Sequence, residues 1–174
     1  MKAERKGGKL AILIEDDYED HELWYPYYRL IEAGFAPEFV SPGRKEEYRS
    51  KHGYPAQSDV KAERASTKSY LGVIVPGGFA PDRLRRSTAI NEFVRKMFEE
   101  GKLIAAICHG PSVLISANVL KGKKCTCFPA IKDDVMNAGA RYIDEEVVID
   151  DNLVTSRMPA DLPAFMRAVL TCLD

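Results

Sequence analysis

Leu103-Ile104-Ala105-Ala106-Ile107-Cys108-His109-Gly110-Pro111 reads as a buried strand, a sharp turn and the start of a helix. Five consecutive apolar residues mark a strand covered on both faces. Ala106 and Gly110 bracket Cys108 in the small-x-nucleophile-x-small pattern of a nucleophile elbow, usually written G-x-S-x-G. Pro111 suits the first helical turn, where its missing N–H would be unpaired anyway. Beyond it, Val113, Leu114, Ala117 and Leu120 recur at helical spacing as far as the Gly122 stop.

Two more apolar strands have the same abrupt ending. Leu10–Ile14 (LAILI) runs directly into Glu15, and Gly72–Val75 (GVIV) runs into Pro76-Gly77-Gly78. Further elements fall between and after them. Asp20 caps a helix that carries Leu23, Tyr27, Leu30 and Ile31 on one face and stops at Gly34, with Pro26 either kinking it or preceding its regular part. Glu38–Ser41 is a short strand, residues 44–69 form a charged excursion, and Asn91–Glu100 is an amphipathic helix ended by Gly101. Lys124–Phe128, a short helix over Ile131–Ala138, a hairpin joining Val147–Ile149 to Leu153–Thr155, and a helix over Pro159–Leu173 complete the chain.

Strands alternating with helices imply right-handed βαβ units and a mostly parallel sheet with helices on both faces. The expected fold is therefore α/β, a flavodoxin-like three-layer sandwich of the doubly wound type. The 174 residues fit one domain, with 1–8 as a flexible tail. In such sheets chemistry gathers at the carboxyl ends of the strands. A carboxyl, a diglycine loop and a thiol should thus meet on one rim.

Charge and composition narrow the function. The 25 basic and 26 acidic residues leave a net charge of −1, which argues against a nucleic-acid binder. No apolar run approaches the ~20 residues of a membrane span. Four apolar residues after a basic start are too few for a signal peptide, so a cytoplasmic location is expected. No G-x-G-x-x-G or P-loop supports nucleotide binding. Cys125-x-Cys127 has no partner pair of ligands, so no metal is expected, and Cys125, Cys127 and Cys172 read as buried, inert thiols.

Cys108 differs from them. At a helix N-terminus its thiolate should be favoured and its pKa lowered. The amide of His109 and one from Gly77-Gly78 could hold an oxyanion. Glu15, the first residue past its strand, would point into the rim, stay protonated and donate to the sulfur.

The segments AAICHGPSVLISANVLKGKK, VPGGFAPDRLR, EDDYEDHELWYPYYRL, IKDDVMNAGA and SRMPADLPAFM together resemble the PfpI intracellular-protease branch of the ThiJ/PfpI superfamily, from about residue 9 to 173. The resemblance implies Cys108 as nucleophile, His109 as its partner, Glu15 as the carboxyl on the sulfur, and Asp82 as an acid supplied by a neighbouring subunit. Asp82 and Phe128 stand where Glu and Tyr are usual. It also implies a homo-oligomer, dimer or hexamer, that needs no cofactor and hydrolyses small peptides or glyoxal-type adducts. The alternative is a redox sensor or stress chaperone working by oxidation of Cys108, although no second cysteine lies near it in sequence to resolve a sulfenic acid.

Overall fold

A computed structural model describes residues 7–173, so six of the eight residues of the expected tail, 1–6, lie outside the described residues. The chain opens with β1 (Lys9–Leu13), α1 (Asp20–Glu32) and β2 (Ala36–Ser41). The charged excursion resolves into a small hairpin, β3 (Glu47–Arg49) and β4 (Pro55–Gln57), and a short strand, β5 (Val60–Lys61). Next come β6 (Tyr70–Val75), α2 (Ala80–Leu84), α3 (Thr88–Glu99), β7 (Leu103–Ile107) and α4 (Pro111–Ser116). The last part holds β8 (Lys124–Cys125), α5 (Lys132–Asn137), β9 (Arg141–Tyr142), β10 (Val147–Asp150), β11 (Leu153–Ser156) and α6 (Leu162–Leu173).

Seven strands form one sheet in the order β10-β11-β7-β6-β1-β2-β5, parallel throughout except for the antiparallel β10–β11 pair. From β1 the chain moves toward one edge to reach β2, and from β6 it moves the other way to reach β7. Right-handed crossovers in opposite directions place their helices on opposite faces. Accordingly α1 packs with α6, while α2, α3 and α5 pack around α4. This is the expected flavodoxin-like sandwich. Its reversal point lies between β1 and β6, where such sheets open a crevice.

The core strands are as dry as their composition requires. Leu10 through Ile14, Val73 through Val75 and Ile104 through Ile107 are buried almost completely. Paired in register, Ile12 with Ile74 and Val75 with Ala106, they bring their carboxyl ends to one rim as anticipated.

Several boundaries differ from the sequence reading. α1 runs unbroken from Asp20 to Glu32 with Pro26, its seventh residue, buried within it. Asp20 is the first helical residue rather than the cap, and its carboxylate takes His52 instead. Ile31 is 47% exposed and lies off the apolar face. α4 stops at Ser116, with Asn118 in the left-handed region. Val119 and Leu120 are still buried, because the non-helical turn folds back onto the core.

Gly110 is fixed by sterics. A Cβ there would lie 2.3 Å from the Val75 carbonyl oxygen and 2.8 Å from that of Ile107, both backbone atoms that cannot yield. Gly110→Ala should therefore cost about 3 kcal/mol or more in urea unfolding. A loss under about 1 kcal/mol would mean that β6 and the elbow are not in tight register.

Candidate active site

Cys108 occupies the turn between β7 and α4 with φ 61°, a left-handed conformation unusual for a non-glycine residue. Three hydrogen bonds hold it there. Its N–H donates to the Ser156 carbonyl at 3.1 Å, its carbonyl accepts from the Phe128 N–H at 2.9 Å, and the Gly110 N–H closes on the Ile107 carbonyl at 2.8 Å. Such strain persists only where the surroundings over-determine it, and nucleophile elbows are one such place.

The diglycine loop after β6 supplies the opposite wall. A Cβ on Gly77 would meet Glu22 Oε2 at 2.6 Å and Cys108 Cβ at 2.7 Å, so only glycine lets carboxyl and thiol approach across it. The Gly77 N–H donates to Glu22 Oε2 at 2.7 Å. Gly78, at φ 76°, directs its own N–H at the Cys108 sulfur, and the His109 N–H does the same. The amides that face the sulfur are thus those of Gly78 and His109. Gly77, also expected there, is committed to Glu22.

The carboxyl at the sulfur is Glu22, not Glu15. Glu22 is fully buried on the inner face of α1, and both its hydrogen-bonding contact and its charge act on Cys108. Its other oxygen, Oε1, is buried without a hydrogen-bond partner. Glu15 is also buried at the end of β1, but its Oε1 accepts the adjacent Asp16 N–H at 3.0 Å. The strand end turns that carboxyl back on its own loop.

Burial sets the proton balance. It raises Glu22 to about 7, against the Gly77 hydrogen bond and with the help of the nearby Glu19 charge. It likewise pushes the Cys108 thiol up to about 12, reinforced by the Glu22 charge and opposed by the Gly78 and His109 amides. The expected lowering by the helix N-terminus is therefore outweighed: α4 has just six residues, and its dipole does not offset loss of water. Two adjacent buried groups cannot both be anions, so a thiolate requires Glu22 to hold its proton.

His109 is half-buried. Its Nδ1 lies 3.4 Å from Cys108 Sγ, and its ring stacks on Phe128 at 5.1 Å and 28°. Burial lowers its pKa, with Asp82 pulling the other way, so the neutral ring can accept the thiol proton. Within one chain Asp82 is exposed and acts on this imidazole through space, without a hydrogen bond. Of the other cysteines, Cys125 and Cys127 are buried as expected, but Cys172 is exposed near the C-terminal end of α6. Among the described residues no group of three or more His, Cys, Asp or Glu side chains could hold a metal.

A mostly parallel α/β sandwich with a strained elbow cysteine, a buried carboxyl and two converging amides defines a flavodoxin-like protein with a cysteine-centred site. The DJ-1/PfpI family pattern matches residues 8–172, and the chain belongs to that family. It is 45% identical over 159 residues to proteins named Deglycase PH1704 of Pyrococcus horikoshii and Deglycase PfpI of Pyrococcus furiosus, covering 91% of this chain and 95% of each. It is 40% identical over 165 residues to a Bacillus subtilis protein named Putative cysteine protease YraA, covering 95% of this chain and 98% of that protein. Among solved structures, a two-domain Anabaena variabilis protein with DJ-1/ThiJ/PfpI-like and ferritin-like domains superposes with a TM-score of 0.94 at 45% identity. That match covers 96% of this chain and 48% of the other, so this chain spans about half of the two-domain protein.

Glu22 gives a stability test with a definite sign. Its carboxyl resists ionisation in the fold up to about pH 7, whereas the unfolded chain ionises near its ordinary value of about 4.3. The fold is therefore favoured below that window and loses stability as pH rises through it. Glu22→Gln keeps the shape and the Gly77 bond, and should raise stability at pH 8 by up to roughly 3 kcal/mol while changing little at pH 4. Urea unfolding at the two values checks this. An unchanged pH slope would mean that Glu22 ionises freely in the fold.

Proposed function

We propose that this protein is a cytoplasmic cysteine-dependent hydrolase of carbonyl compounds, working as a deglycase or glyoxalase-type enzyme, with hydrolysis of small peptides as the second activity of the same site. The observation that carries this reading is the convergence of Cys108, His109, Glu22 and the Gly78 and His109 amides on one point of the sheet rim. The deglycase names of the relatives at 45% identity favour the first activity, and the protease name of the Bacillus relative favours the second.

The geometry supports a short sequence of steps. His109 Nδ1 takes the Cys108 proton as the sulfur attacks the carbonyl carbon. The carbonyl π electrons move onto oxygen, where the Gly78 and His109 amides face the developing negative charge. A protonated Glu22 next to the sulfur lets that anion form without a second charge in the same dry space. With an aldehyde the product is a hemithioacetal. With a peptide the adduct expels the amine, which takes a proton from His109, and leaves a thioester for water to cleave. A reduced thiol requires a reducing compartment, in keeping with four unpaired cysteines and a cytoplasmic home.

The imidazole lacks a hydrogen-bonded carboxylate in its own chain, and we assign that place to Asp82 of a second copy in a homo-oligomer. Asp82 stands on the exposed side of α2, one helical turn beyond Phe79, which is 66% exposed. An interface across α2 would cover both.

Assays with methylglyoxal and with short fluorogenic peptides test the activity. Cys108→Ala should lose at least about 1,000-fold of either turnover. Full activity in that variant would end the nucleophile assignment. The shared site has its own test. Mixing and reassociating inactive Cys108→Ala with weakened Asp82→Ala should partly restore activity, because hybrids join an intact Cys108 and His109 to an intact Asp82. Mixtures no better than the diluted Asp82→Ala protein, or a fully active monomer, would rule it out.

A further inference from the structure

The β3–β4 hairpin reaches the site through the loop that follows β1. Tyr18, fully buried in that loop, bridges to Ser50 of the hairpin on one side and to Gly78 of the diglycine loop on the other. Its carbonyl accepts the Lys51 N–H at 3.1 Å. The next residue, Glu19, donates its N–H to the Gly77 carbonyl at 3.3 Å, and its side chain is almost entirely buried. Its carboxylate holds the Lys51 ammonium through Oε2 and His21 Nδ1 at 3.1 Å through Oε1. A buried carboxylate therefore stands one helical step from Glu22, and the cation that compensates it comes from a separate element.

We propose that Glu19 and Lys51 act as a positioning pair that sets the charge balance around Glu22, and through it the pH at which Cys108 becomes a nucleophile. Neither residue lies on the reacting atoms; both act on the charge of the Glu22 and Cys108 pair, Lys51 on each of the two. The groups that face Glu22 are Cys108 from the elbow, the Gly77 amide from the diglycine loop, Glu19 from the loop before α1 and Lys51 from the hairpin. Those that face Glu19 are Lys51 and His21. Glu19 opposes ionisation of Glu22, while Lys51 assists it and is coupled to Glu22 and Cys108. The two effects have opposite signs and oppose one another in the intact pair.

That opposition is the testable feature, and it rests on Cys108 being the nucleophile of the proposed function. The readout is the rate of iodoacetamide labelling of Cys108 against pH, followed by peptide mapping to separate it from exposed Cys172. All variants carry His21→Asn, so that this imidazole adds no titration of its own. Lys51→Met leaves Glu19 uncompensated and should move the profile up by about one pH unit, since a lost cation disfavours both anions of the site. Glu19→Gln leaves Lys51 unopposed and should move it down by a similar amount. The double variant should return near the parent, and Lys51→Arg should match it. A merely structural role would slow labelling or loosen the fold without moving the midpoint in opposite directions. Superimposed profiles, or single variants shifted the same way, overturn the pair while leaving the nucleophile in place. Absence of Cys108 labelling at every pH overturns the nucleophile and this inference with it.

Discussion

One backbone angle organises this molecule. Cys108 stands at φ 61°, and three neighbours must agree to keep it there: Ser156 at the end of β11, Phe128 after β8, and Ile107 in its own strand. The left-handed conformation costs on the order of 1–2 kcal/mol for a residue with a Cβ. The sheet offsets that cost because β7 is flanked by β11 on one side and β6 on the other. Relaxing Cys108 would break bonds to two separate segments. In return, Sγ rises off the strand end toward the Gly78 and His109 amides instead of pointing into one face of the sheet. Gly77 and Gly110 follow from the same constraint, since any Cβ at either would fall within 3 Å of atoms that define the turn.

The elbow creates an electrostatic problem as well as a geometric opportunity. Drawing the thiol out of water raises its pKa, and setting a buried carboxyl beside it makes two anions compete for one dry volume. A helix N-terminus of six residues is a weak remedy. The structure relies instead on sharing protons among three groups. Glu22 retains its proton to about neutrality, the thiol keeps its own, and the neutral His109 ring stands 3.4 Å from the sulfur to receive it. Stacking against Phe128 and the Nδ1 contact with Sγ orient the ring between them. Reactivity is thus stored as a relation between groups and not as a standing thiolate.

Much of this was legible in the sequence, and the one serious error is instructive. The three apolar runs at 10–14, 72–75 and 103–107 gave the parallel core because burial on both faces leaves no room for alternation. The elbow and the diglycine loop were readable because glycine, alanine and proline mark turns by sterics alone. Glu15 stands out in the sequence because it directly follows a strand, while the acids after it, Asp16, Asp17, Glu19 and Asp20, read as solvated and Glu22 behind them gives no cue by position alone. A signal was present all the same. Glu22, Pro26 and Leu30 fall at i, i+4 and i+8, and with Leu23 they are the buried residues of α1. An acid in the apolar stripe of a helix marks a buried carboxyl. The 44–69 segment gave no such periodicity, since its three short strands and its turns are held by long-range contacts such as Tyr18 with Ser50. Cys172 was misread for a simpler reason, in that it stands on the exposed side of the last turn of α6.

Under the proposed function, one site would serve two chemistries. Attack of sulfur on a carbonyl carbon is common to an aldehyde and to an amide, and everything rigid here serves that step: the elbow, the two amides and the Glu22 proton. What separates the outcomes is whether a leaving group is present on the adduct. An amide carries one and needs a proton delivered to its nitrogen, which falls to His109 on the open side of the site. An aldehyde carries none, so its adduct reverts unless an adjacent carbonyl, as in methylglyoxal, can take the electron pair when the adduct carbon loses its proton. The interior half of the site is therefore indifferent to substrate, and discrimination must come from the exterior half, where His109, Phe79 and Asp82 meet solvent or a second chain. Substrate choice can thus change at the surface of α2 without disturbing the strained turn on which the nucleophile depends.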